Sequence, residues 1–224
     1  MGDMVEKFEG RVRVERTGRY FRLRRKGEGG SAPRWLLLHG YGETADHFLE
    51  QGIGILAAGR GELIAPEGIS RFYTRGGRGA IGASWMTSLI REEEIDEYVG
   101  MIENVLELCA VPPGVPINIL GFSQGGATAM RVALRGSRPV GRLVLWGAGF
   151  EEEELRTWSG QLERIGETLL VAGRSDRIVP REVIDRTADA IVSLGGSVRV
   201  LTHPGGHELD ADLLKEIGQS SRTG

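Results

Sequence analysis

One cysteine, Cys109, occurs in 224 residues. That excludes an intrachain disulfide and any cysteine-built metal cluster, and it suits a reducing compartment, so the cytoplasm is the expected location. No apolar run reaches the length of about 18 residues that a membrane span needs. The amino terminus, Met1-Gly2-Asp3-Met4-Val5-Glu6-Lys7, lacks the apolar centre of a signal peptide, so neither membrane insertion nor export is expected. Excess charge is also missing. With 28 Lys and Arg against 31 Asp and Glu, a net charge of -3 gives no electrostatic footprint for a nucleic-acid partner. Histidines number 4, so any histidine-dependent chemistry is a choice among few. Apolar residues, by contrast, make up 40% of the chain, enough for a sizeable core. One domain over 1–224 is expected, with 1–10 and 218–224 as loose termini.

Val12-Arg13-Val14 and Tyr20-Phe21-Arg22-Leu23 alternate apolar with polar residues around Thr17-Gly18, which predicts an N-terminal antiparallel hairpin. A Gly-rich loop follows over 26–31. Beyond it the apolar runs are short and continuous: Trp35-Leu36-Leu37-Leu38, Leu63-Ile64-Ala65, Ile117-Asn118-Ile119-Leu120, Leu143-Val144-Leu145-Trp146, Thr168-Leu169-Leu170-Val171 and Val198-Arg199-Val200-Leu201. Such runs fit parallel strands buried on both faces. Helical spacing lies between them, over 94–109, 124–135, 180–194 and 208–217. The alternation predicts an α/β fold with a mostly parallel, doubly wound sheet. Only about 20 residues separate Trp146 from Thr168, which leaves no room for a large cap domain. The acidic runs Glu92-Glu93-Glu94 and Glu151-Glu152-Glu153-Glu154 read as solvated helix starts.

Gly121-Phe122-Ser123-Gln124-Gly125 sits between an apolar strand and an Ala-rich helical segment, the setting of a nucleophile elbow. A serine on a sharp turn at a strand end needs neighbours without side chains, and glycine two residues to either side meets that need. Such a serine requires a base and the base an orienting acid, in the chain order Ser, Asp or Glu, then His. Asp176 stands five residues past the strand that ends at Val171; its ordinary alternative is a helix cap. His207 lies beyond the final strand in a Gly205-Gly206 turn. The other histidines fit less well: His39 precedes the serine in a loop suited to an oxyanion hole, His47 falls in the following helix, and His203 is close enough to the strand end to pack on the sheet. Tyr41 and Gln124 are therefore expected to offer their backbone N–H groups to an oxyanion. The Tyr41 ring is either a wall of the pocket or an ordinary packing group.

Leu38-His39-Gly40-Tyr41-Gly42, Ala65-Pro66-Glu67-Gly68, Gly121-Phe122-Ser123-Gln124-Gly125-Gly126, Gly173-Arg174-Ser175-Asp176 with Val179-Pro180, and Gly206-His207-Glu208 together resemble the carboxylesterase, phospholipase and acyl-protein thioesterase branch of the α/β-hydrolase superfamily. The likeness spans about 35–217. It implies a serine hydrolase that cleaves carboxylic esters or thioesters of small acyl substrates through an acyl-enzyme on Ser123, with Asp176 and His207 as partners and no metal or cofactor. The same intermediate could serve an acyltransferase or perhydrolase, and the fold also suits a non-catalytic ligand-binding homologue. Tyr41 stands where the thioesterases usually carry leucine.

The stretch 68–91 departs from that pattern and is expected to be a long loop bordering the cleft. Within it Trp85 and Met86 either line a substrate pocket or pin the loop to the body. Arg71, Arg75, Arg78 and Arg91 either favour substrates with a remote anionic group or are solvated loop charges.

Overall fold

The computed structural model describes residues 6–24, 32–57, 61–158 and 160–220. Each continuous apolar run is the centre of a strand. In chain order the strands of the main sheet are β1 (Tyr20–Arg24), whose residues alternate, β2 (Arg34–Leu38), β3 (Glu62–Pro66), β6 (Ile117–Phe122), β7 (Val140–Trp146), β8 (Ile165–Gly173) and β9 (Val198–His203), with β4 (Ser70–Arg75) and β5 (Arg78–Ser84) between β3 and β6. The helices are α1 (Ala45–Gln51), α2 (Ile53–Ala57), α3 (Arg91–Leu108), α4 (Gln124–Arg135), α5 (Glu152–Arg156), α6 (Arg181–Ser193) and α7 (Ala211–Ser220).

The main sheet has the order β1-β3-β2-β6-β7-β8-β9. All its neighbours run parallel except β1, which is antiparallel to β3. Because successive side chains alternate across a strand, the continuous runs fill both faces. Leu36, Leu143, Leu145 and Leu170 join a core under α3, α4 and α6, whereas Trp35, Leu37, Val144 and Leu169 join a second core under α1, α2 and α7. The chain leaves β2 toward β3 on one side and later returns to pair β6 on the other. The strand order therefore reverses beside β2, and in open α/β sheets the crevice at such a switch point, at the carboxyl ends, is where ligands bind. Among the described residues the segment between β7 and β8 holds only α5 and one turn of 3-10 helix over Leu162–Arg164, so no large cap covers that end.

Four expectations need correction. Residues 12–14 form no strand; the antiparallel edge comes from β1 on β3, with Phe21 opposite Ala65. Pairing β1 to an existing sheet covers its half-buried face with core, which a lone hairpin cannot do. Residues 68–91 hold a second, antiparallel pair, β4 with β5, whose mixed polar composition hides the strand signal. The last helix begins at Ala211 and runs to Ser220, so Gly218 is helical; its bare Cα sits where a Cβ would come within 2.5 Å of the Ile55 carbonyl oxygen. The helix over 94–109 starts three residues earlier, at Arg91, with Glu92, Glu93 and Glu94 in its first turn. The Gly-rich stretch 26–31 lies outside the described residues.

Candidate active site

Ser123 stands between the end of β6 and the first residue of α4 with φ 53° and ψ -118°. A non-glycine residue at positive φ is strained and persists only where the surroundings fix it. Here the Ser123 N–H donates to the Trp146 carbonyl at 2.9 Å and the Gly126 N–H donates back to the Ser123 carbonyl at 2.9 Å. The flanking glycines follow from crowding: a Cβ on Gly121 would fall on the Gly125 carbonyl, and one on Gly125 would fall on the Leu38 carbonyl. Since those obstacles are backbone, only glycine allows the turn to close this tightly.

Asp176 and His207 meet from the loops after β8 and β9. His207 Nδ1 lies 2.8 Å from Asp176 Oδ2, and the Asp176 side chain is 2% exposed. Its other oxygen, Oδ1, accepts the Ile178 and Val179 N–H groups at 2.8 and 2.9 Å. One oxygen thus shapes the turn while the other faces the imidazole. Burial pushes the Asp176 carboxyl up, but the Val179 amide, His207 and the Ile178 amide outweigh it and hold the group below its ordinary value. A carboxylate at Nδ1 selects the tautomer with the proton there and leaves Nε2 as an acceptor. The His207 ring packs on Phe122, the residue before Ser123, with centroids 4.8 Å apart, and a Cβ on Gly147 would come within 2.9 Å of its Cε1.

The loop after β2 is tied from several sides. His39 is fully buried; its Nε2 accepts the Gly68 N–H at 3.0 Å, so the proton sits on Nδ1 and is donated to the Gly40 carbonyl at 2.8 Å. Burial keeps this imidazole below its ordinary value, hence neutral. Because C=O and N–H point in opposite directions across a trans peptide, holding the Gly40 carbonyl also orients the Tyr41 N–H. Neither the Tyr41 nor the Gln124 N–H has an acceptor among the described residues. The Tyr41 ring is 65% exposed and packs on Phe72 of β4, centroids 5.2 Å apart.

The remaining residues of interest separate. Trp85 is 2% exposed; its Nε1 donates to the His39 carbonyl at 2.9 Å and its ring stacks on His39 at 4.8 Å. It pins the hairpin to the body, and no face is left for a substrate wall. Met86 packs half-buried against the core, its sulfur 3.6 Å from Arg131 Nη1. His47 is exposed on α1. His203 is buried against Trp146, and Cys109 is buried with its thiol pushed up by that burial, which disfavours a thiolate nucleophile. Arg71 pairs with buried Glu67 at 2.8 Å and Arg91 with Glu154 at 2.7 Å, leaving Arg75 and Arg78 without an ion pair among the described residues. Sequence reasoning missed Glu43 and Glu67. Glu43 Oε2 accepts the Gly40 N–H at 2.7 Å, and Glu67 anchors Arg71 beneath the hairpin. A charged residue beside the Gly40 and Gly42 turn was the signal available for the first.

The model of the phospholipase/carboxylesterase family matches residues 30–223. No curated protein matches the sequence. Among solved structures, acyl-protein thioesterase 2 of Zea mays is 22% identical over 92% of this chain and 98% of its own, with a TM-score of 0.70. An esterase, PE8, is 21% identical over 90% and 96%, also at 0.70. The Bacillus cereus carboxylesterase is 14% identical over 90% and 92%, at 0.62. These three likenesses bear on the fold. Among the described residues no helix is long and apolar enough to cross a membrane. With the family model spanning nearly all of the chain, this protein belongs to the phospholipase/carboxylesterase family and is an α/β-hydrolase of esterase type.

Proposed function

We propose that this protein hydrolyses carboxylic esters or thioesters of small acyl substrates through an acyl-enzyme on Ser123. His207 Nε2 takes the hydroxyl proton as Oγ attacks the carbonyl carbon, and the Tyr41 and Gln124 N–H groups hold the developing oxyanion. The bond to the leaving alcohol or thiol then breaks, and that group takes the proton from His207. Water enters, gives its proton to His207, and releases the carboxylic acid while Ser123 Oγ recovers a proton. Asp176 keeps the imidazole in the working tautomer throughout. The observation that carries this reading is the strained Ser123 next in sequence to Phe122, whose ring packs on a His207 held by the Asp176 carboxylate at 2.8 Å. The single cysteine suits work in the cytoplasm.

A fluorophosphonate probe, with esters and thioesters of short to long acyl chains, tests the reading. Covalent labelling of the parent, loss of labelling and of turnover in Ser123→Ala, and unchanged melting of that variant are expected. Turnover that survives in Ser123→Ala refutes it. Product appearing as a transferred ester or peracid when alcohol or peroxide is added, in place of free acid, assigns the same intermediate to acyl transfer.

A further inference from the structure

The two N–H groups assigned to the oxyanion belong to different parts of the chain. Tyr41 is in the loop after β2, and Gln124 opens α4. Donors must sit within a few tenths of an ångström of where the charge develops, and a misplacement of about 1 Å costs on the order of a hundredfold in rate. Something has to fix the span between them. The end of β5 touches both. On one side the Gly42 N–H donates to the Ala83 carbonyl and the Ala83 N–H donates to the Glu43 carbonyl, each at 2.9 Å. This is a two-bond bridge to the Tyr41 loop. On the other side the next three residues are read by the side chain of Gln124. Its Oε1 accepts the Trp85 N–H at 3.1 Å, its Nε2 donates to the Met86 carbonyl at 3.0 Å, and Ser84 Oγ lies 3.2 Å from both atoms. The backbone donor and acceptor at 85 and 86 decide which way the amide faces.

We propose that the side-chain amide of Gln124 is a positioning group. Clamped to residues 84–86, it makes the end of β5 a strut that sets the distance between the two oxyanion donors. The inference rests on the acyl-enzyme reading and adds a role for a side chain that touches no reacting atom. Only a primary amide fits: it must accept from Trp85 and donate to Met86 at once, which neither a carboxylate nor a thioether can do.

Gln124→Met keeps the length and removes both polar functions; Ser84→Ala removes only the hydroxyl. Thr74→Ala, which deletes the Thr74 Oγ1 bond to the Ala80 carbonyl, loosens the hairpin away from the strut. The readouts are kcat and KM for an activated ester, the inhibition constant of a trifluoromethyl ketone that forms a tetrahedral adduct, and that of an unreactive ether analogue. For Gln124→Met we expect kcat to fall about 10- to 50-fold with KM within about twofold, ketone affinity to fall by the same factor, and ether affinity to hold. Ser84→Ala should show the same pattern at about threefold, and Thr74→Ala none of it. Parent-like kcat and ketone binding in Gln124→Met overturns the proposal, as does an equal loss of ketone and ether binding. If Gln124→Met does not fold, Ser84→Ala decides by the same criteria. A parent that neither reacts with the fluorophosphonate nor turns over esters refutes the acyl-enzyme reading and this proposal with it; an active parent with unaffected variants overturns this proposal alone.

Discussion

At the amino ends of the parallel strands, ionised side chains are paired with one another, though Arg34 Nε and Nη1 and Arg138 Nε are buried without a hydrogen-bond partner. Glu62, first in β3, takes Arg22 at 2.8 Å through Nε and lies 3.7 Å from Arg34, first in β2. Glu167 takes Arg142 of β7 at 2.8 Å and Arg199 of β9 at 3.1 Å, and buried Arg138 pairs with Glu103. At the carboxyl ends pairs remain, His207 with Asp176 and Arg71 with Glu67, but a different feature stands with them. The serine is strained, the glycines around it have no room for a side chain, and the Tyr41 and Gln124 amides face no acceptor among the described residues. Two N–H groups without an acceptor among the described residues, one of them on the residue that follows a serine at positive φ, are informative in a way that an ion pair is not.

The sharpest test of this contrast is Asp176→Asn. With the carboxylate gone the wrong imidazole tautomer becomes available, and ester turnover should fall about 10⁴-fold, with only the modest stability loss expected for a carboxylate held below its ordinary value. A turnover loss under tenfold would remove Asp176 from the site. Glu62→Gln probes the opposite end. It leaves Arg22 and Arg34 short of their carboxylate, and we expect a cost of about 2 kcal/mol in urea denaturation, below the range for a fully buried pair because Arg22 is partly exposed. Turnover should be unchanged, and a matching fall in kcat would show that the two ends are not independent.

Acid should separate two groups at the carboxyl end. His39 and Asp176 both ionise below their ordinary values of 6.5 and 3.8. As pH falls through each window the unfolded chain binds a proton that the folded protein refuses, so stability drops on acidification, first below 6.5 and again below 3.8. In His39→Asn the first decline should flatten, since the asparagine amide can donate to the Gly40 carbonyl without titrating, while the second remains. Urea midpoints across pH read both limbs, and an unaltered first limb would clear His39 of the effect. The smallest expected change concerns Arg75 and Arg78. Replacing both with alanine should lower kcat/KM for a carboxylate-bearing ester about two- to threefold at low salt, and leave its neutral analogue alone. Parallel salt curves in parent and variant would leave the two arginines as solvated charge.

Much of this was legible in the sequence because burial on both faces writes continuous apolar runs, and because the elbow spelling has a steric cause that the Gly121 and Gly125 contacts restate in atoms. The β4–β5 pair was not legible. Ser70-Arg71-Phe72-Tyr73-Thr74-Arg75 alternates only weakly, and its pairing is supported by neighbours distant in sequence, such as Gly42 against Ala83. Trp85 could be either wall or anchor until its burial and its bond to the His39 carbonyl were seen. Gln124 was read for its main-chain N–H alone, since a side chain that recognises backbone leaves no trace in residue types.

The loops that carry Asp176 and His207 are laced together. The Arg174 N–H donates to the His203 carbonyl at 2.9 Å, the Ser175 N–H donates to the Gly205 carbonyl at 3.0 Å, and a Cβ on Gly173 would fall on the Gly206 carbonyl. Asp176 and His207 thus sit on one stitched unit built on β8 and β9, whereas Ser123 belongs to the segment that ends with β7. Severing the chain in the β7–β8 connection would put the serine on one fragment and the Asp176–His207 pair on the other. Under the mechanism proposed above, each half would be silent toward an ester and hydrolysis would report their reassembly, making the molecule a two-piece sensor of its own sheet pairing.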